Sequence, residues 1–171
     1  GLRGPGRGAE CAYMTQEGRE LLGQAHAAAV ALPMAAAKSG KTSTPISRSV
    51  KAGMNVALGT GGAAECGNLD MFQVMRSAAL SQRVEDGAPE TMPPQAVLMM
   101  DTVCGARAQG RRRETGMLKE GMDAAIILVD FTAPHVMPCH NVLSVLVFSA
   151  NGADVPMTIV QGTFRYQNGE F

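Results

Sequence analysis

The sequence predicts an α/β layer joined to a small β unit, and three observations carry that reading. Unbroken apolar runs that fit buried strands alternate with stretches of helical spacing through the first two thirds of the chain. From Gly116 onward the pattern turns Gly-rich and strand-like. Three consecutive arginines, Arg111 to Arg113, mark the change. At 171 residues, 46% of them hydrophobic, the chain is long enough for a real core. The organisation expected is a tail over residues 1–8, an α/β unit over 9–110 and a β unit over 111–171.

Gly1 to Gly8 holds only Gly, Leu, Arg and Pro, which bury little apolar surface, so it reads as a flexible tail or the scar of a truncation. Thr15 is a helix start signal, followed by an acidic first turn and by Leu21 and Leu22. The alanine-rich run from Ala25 to Ala37 is broken by Pro33 and reads as a short strand and loop. After the loop from Lys38 to Pro45, Ile46 to Ala52 forms a short helix that stops at Gly53.

Met54 to Leu58 is a buried strand, and Leu69 to Leu80 a helix with Leu69, Phe72, Met75, Ala79 and Leu80 on one side. One further helix is expected from Gln95 to Ala108, with Val97, Met100, Val103 and Cys104 at helical spacing. In the β unit, strands are expected at Ala124 to Asp130, Val142 to Phe148, Pro156 to Val160 and Thr163 to Tyr166, with Gln161-Gly162 as a turn.

Composition excludes several functions. With 15 basic and 15 acidic side chains no net field draws the protein to nucleic acid or to a membrane surface. No apolar run reaches the about 18 residues of a membrane span, and the N-terminal stretch lacks a signal peptide's apolar core, so the cytoplasm is expected. Cys11, Cys66, Cys104 and Cys139 stand too far apart for a zinc ribbon and read as reduced, semi-buried thiols.

Two loops imitate phosphate cradles. Gly59-Thr-Gly-Gly-Ala-Ala64 lies between strand and helix, yet its sixth position is Ala64 and no Lys-Thr follows. Gly40-Lys41-Thr42 lacks the glycine a P-loop needs at Ala35. His135, Cys139 and His140 are close in sequence, but nearby sequence does not supply the further ligands a metal site needs. A loop whose imidazoles bond backbone carbonyls is the better reading.

Two separated motifs together resemble one family. Ala52-Gly-Met-Asn-Val-Ala-Leu-Gly-Thr-Gly-Gly-Ala-Ala64, with Asn68-Leu-Asp-Met-Phe-Gln-Val-Met-Arg-Ser-Ala-Ala-Leu80, resembles the last barrel strand and following helix of the amidohydrolase superfamily. Closest in pattern are the methylthioadenosine/S-adenosylhomocysteine deaminases and their chlorohydrolase relatives. The tail from Thr115 to Asp130 and from Pro134 to Asp154 is similar to that group's C-terminal region. The resemblance implies a metal-dependent (β/α)8 barrel with a small β-sandwich built from both chain ends. It also implies hydrolytic deamination of an adenine ring, by water activated on zinc or another divalent metal.

By the same resemblance this chain has lost the chemistry. Gly59-Thr-Gly61-Gly62 stands where the group has a Gly-Thr-Asp-Gly turn, so Gly61 replaces the carboxylate that binds metal and moves the proton. Glu10 occupies the histidine position of an Ala-His-Cys strand, and Ala31 the histidine of a His-x-Pro-x-Ser-Asn strand whose last polar residues are Ala35 and Ala36. His26 falls at no motif position, and the family's His-x-His and His-x-x-Glu would lie before Gly1. A closed barrel needs roughly 250 residues, so about its last three strands are expected here.

Two functions follow. One is a catalytically silent relative of an adenosine-type deaminase that binds no metal or other cofactor and associates with a second copy or another chain. The other is a hydrolase portion active when upstream sequence or a complementing chain supplies the missing strands and ligands.

Overall fold

Three parallel strands in sequential order, β1 (Arg7–Ala9), β2 (Ala28–Ala31) and β3 (Asn55–Leu58), form the first sheet. They belong to a computed structural model that describes residues 6–171; residues 1–5 of the expected tail lie outside it. Arg7 and Gly8, read as tail, instead pair with Ala28 and Ala29. A strand needs backbone partners as much as apolar side chains, and β2 supplies them.

Both faces of this sheet are covered, as the unbroken apolar character of its strands requires. Ala29, Ala31, Val56 and Leu58 enter the main core, while Ala28 and Ala57 form a smaller cluster with Ala108. Helix α1 (Gln16–Gln24) starts at Thr15, whose hydroxyl accepts from the Gly18 amide at 3.1 Å. Pro33 begins a helix here instead of breaking a strand: α2 (Pro33–Lys38) carries it in the first turn, where its fixed φ suits the helix and its missing N–H is not needed.

Helix α3 (Ile46–Lys51) ends before Gly53, as expected. Its exposed amides are met from another element, since the buried Gln82 side chain accepts from Ile46 N at 2.7 Å and Ser47 N at 3.3 Å. Gln82 belongs to α5 (Met71–Asp86), which starts at the Asp70 cap and runs a turn and a half past the expected end at Leu80. Its buried side comprises Phe72, Val74, Met75, Ala78, Ala79 and Gln82, whereas Leu69 and Leu80 are exposed. The expectation that those two leucines share one side with Phe72, Met75 and Ala79 is thereby corrected.

The helix expected over Gln95 to Ala108 is two, α6 (Pro94–Asp101) and α7 (Val103–Ala108). Thr102 between them leaves helical geometry (φ −108°, ψ −86°) while its hydroxyl bonds the Leu98 carbonyl at 2.7 Å.

A second sheet is antiparallel, with β4 (Ile126–Leu128), β5 (Met157–Val160) and β6 (Thr163–Gln167) in that order. The strand expected at Val142 to Phe148 is instead α8 (Val142–Phe148). Seven apolar residues rich in valine fit a buried strand or a buried helix equally. The Asn141 carboxamide decides by accepting from the Ser144 amide at 2.9 Å. Val147 of α8 joins Phe72 and Val97 in one continuous core, so burial extends across residue 111.

Candidate functional site

The parallel register brings three strand ends level. Ala9 lies beside Val30 and Val30 beside Ala57, which places Glu10, Ala31 and Leu58 in one row at the carboxyl edge of the sheet. The row continues through backbone bonds: Glu10 N donates to Val30 O at 3.2 Å and Gly59 N to Ala31 O at 3.0 Å. Adjacent strands sit about 4.8 Å apart, so the positions of Glu10, Ala31 and the Gly59–Gly62 turn share one mouth. This edge is where ligands bind in parallel α/β folds.

The side chains presented there carry little chemistry. Glu10 is exposed, with its backbone in the left-handed region (φ 52°). Ala31 is fully buried and contributes a methyl group. Gly61 adopts φ 72° and contributes a hydrogen atom. His26 sits in the exposed turn between α1 and β2, away from this row.

One carboxylate at the turn was not anticipated. Glu65 belongs to the short helix α4 (Ala63–Cys66), and its Oε2 accepts from the Gly62 amide at 3.1 Å. A Cβ placed on Gly61 would stand 2.6 Å from that same oxygen. Glu65 therefore fills the space that a side chain at position 61 would enter. The spacing from Gly62 to Glu65 is that of a helix-capping pair, which is the signal that would have located it.

The second polar cluster lies under the C-terminal segment. His135 Nε2 meets the buried Asp154 carboxylate at 2.9 Å and the Asn151 carboxamide at 3.1 Å. Asp154 also accepts from the Asn151 amide at 2.8 Å, and Asp70 from the Gly152 amide at 3.1 Å. The expected bond from this imidazole to a backbone carbonyl is thus corrected: a buried carboxylate needs a donor more urgently than a carbonyl does. Together these groups fasten the start of α5, just past the Gly59–Gly62 turn, to the segment around residue 152.

A metal of the kind the resemblance implies requires three or more converging donors. Among the described residues no group of three His, Cys, Asp or Glu side chains is so placed. Ala31 and Gly61 have no donor atom to offer. The residues present do not fit such an ion. Elsewhere, the four cysteines are free thiols, and burial raises the pKa of Cys11 and Cys104. No helix among the described residues is long and apolar enough to cross a membrane.

The pattern of the amidohydrolase family matches residues 7–165. This chain belongs to that family. The 5'-deoxyadenosine deaminase of Methanosarcina mazei is 40% identical over 160 residues, which make up 94% of this chain and 37% of the relative. A 5-methylthioadenosine/S-adenosylhomocysteine deaminase of Moorella thermoacetica is 38% identical over 162 residues, 95% of this chain and 38% of that one. A solved adenosine deaminase from Xanthomonas campestris with bound zinc superposes with a TM-score of 0.93 at 26% identity, covering 96% of this chain and 38% of the other. The amidohydrolase relationship and the mixed α/β fold expected from the motifs are thereby established. The chain spans little more than a third of the length of these relatives.

Proposed function

We propose that this chain is the C-terminal portion of a deaminase-type amidohydrolase barrel and is catalytically silent as it stands. Its antiparallel strands would be the C-terminal share of a small β-sandwich. The observation that carries the proposal is the strand mouth at which Glu10 and Ala31 stand level beside Leu58, with Gly61 in the turn that follows. Hydrolytic deamination needs an activated water and a group that moves its proton. A methyl group and a hydrogen atom do neither, and the two exposed carboxylates, Glu10 and Glu65, belong to no group of three converging donors among the described residues.

The test is metal content together with turnover. After dialysis the purified chain retains well under one equivalent of zinc and releases no ammonia from adenosine or 5'-deoxyadenosine. Gly61→Asp alone restores neither property, because Ala31 is unchanged. Stoichiometric zinc, or ammonia release by either protein, overturns the proposal.

A second reading is favoured by the length of the relatives and by the sheet itself. The outer edges of β1 and β3 have no strand partner among the described residues, and unpaired edges invite pairing. In this reading upstream sequence, a complementing chain or a second copy covers them. Intact and native mass in the source cell separate the readings. A chain more than twice as heavy as 17.9 kDa favours completion by upstream sequence; a 17.9 kDa chain that is monomeric in its native mass favours the silent chain, and one held in a larger native complex favours a complementing chain or second copy.

A further inference from the structure

Between α2, α4 and α5 lies an open groove of about 530 Å³ that shares no lining residue with the strand mouth. Met34, Ala37 and Leu80 form its apolar wall, and Lys38, Arg76 and Ser77 its polar side. The two cations set it apart from an ordinary gap between helices. Lys38 Nζ donates to the Ala64 carbonyl at 3.1 Å, and Arg76 Nη2 to the Ala150 carbonyl at 2.8 Å. Arg76 Nε is buried without any hydrogen-bond partner. Among the described residues neither cation forms a salt bridge.

Two positive charges thus face one apolar wall with no anion to balance them. A neutral apolar molecule would leave those charges uncompensated, and a small inorganic anion would leave Met34 and Leu80 wetted. The volume lies within the range of small-molecule sites, which are mostly apolar with a few placed polar groups. We propose that this groove binds an amphipathic carboxylate, its apolar body against Met34, Ala37 and Leu80 and its head group at Lys38 and Arg76. Guanidinium and ammonium groups both suit a carboxylate, and the Ser77 hydroxyl adds a donor. The site is independent of the barrel mouth and requires neither metal nor turnover.

The probe is decanoate, titrated calorimetrically into the whole chain at low ionic strength, with decanol and acetate as controls. Decanoate is expected to saturate one site, while decanol and acetate bind at least tenfold more weakly. Lys38→Met is expected to weaken decanoate about fivefold, the scale of one partly exposed charge pair. Leu80→Glu removes binding by setting a like charge in the groove. Lys38 and Leu80 are both exposed, so their variants keep the unfolding midpoint of the parent. Absence of saturable decanoate binding, unchanged affinity in Lys38→Met, or decanol binding as tightly as decanoate each overturns the assignment. A groove occupied by a second copy takes up no decanoate and overturns it equally. Because zinc content and ammonia release play no part, this test can fail while the silent-barrel proposal stands, and the reverse.

Discussion

Asp101 offers the sharpest test of the energetics. It is the last residue of α6, where the helix's own carbonyl ends already disfavour a negative charge. It also lines a small cavity with Thr102, Gly105 and Gln109. Burial raises its carboxyl from the ordinary 3.8 to about 6. The native state therefore holds a proton that the unfolded chain releases between those two values. Stability from this group falls as pH rises from about 4 to about 6, then levels off. Two units at about 1.4 kcal/mol each set an upper limit near 3 kcal/mol, and the partial exposure of the side chain reduces this to about 1–2 kcal/mol. Asp101→Asn removes the penalty, so the variant gains that amount at pH 7.5 and the gain shrinks toward zero below about pH 4. Urea midpoints of both proteins across this range measure the difference, in which the other carboxylates cancel. At neutral pH the gain corresponds to roughly 2–8 °C in Tm. A gain that stays constant with pH, or grows on acidification, would refute the reasoning.

Other substitutions probe separate contacts. Gln82→Ala leaves the Ile46 and Ser47 amides without their acceptor and should cost about 1–3 kcal/mol in chemical denaturation. Gly23→Ala would place a methyl group 1.9 Å from the Ala52 carbonyl oxygen, so a loss above about 3 kcal/mol, or failure to fold, is expected in expression and thermal melts. Asn141→Ala should cost about 1 kcal/mol by removing the cap of α8, whereas a strand at Val142 to Phe148 would be indifferent to it. Gly61→Asp should lose about 1 kcal/mol, partly recovered by adding Glu65→Gln, because the new carboxylate meets an existing one.

Sequence reading succeeded where local physics decides structure. The apolar runs at β2 and β3, the Thr15 cap and the Gln161-Gly162 turn each depend on neighbours in the chain, and each was placed to within a few residues. It failed where a distant partner decides. Val142 to Phe148 is helical because of its cap and because it packs on α5, and neither β propensity nor periodicity reports that packing. Arg7 and Gly8 are strand because Ala28 and Ala29 pair with them. At the mouth, the resemblance supplies only the expectation that Glu10, Ala31 and Gly61 stand at motif positions; the strand register sets the first two level. Glu65 was missed although its capping spacing from Gly62 is local, since that spacing does not report that the side chain folds back three residues to fill the space beside Gly61.

The fastening between Asp70 and Gly152 bears on how the chain is made. The two residues are 82 positions apart, yet one accepts the other's amide, and Arg76 reaches the Ala150 carbonyl beside them. During synthesis the N-terminal sheet and α5 emerge long before these partners do. Closing so large a loop is entropically slow, and contacts this distant in sequence retard folding. Until residue 150 leaves the ribosome, the side of α5 that receives Val147 stays open to other nascent chains. The exposure of this side of α5 is therefore set by the order of synthesis as much as by the finished fold.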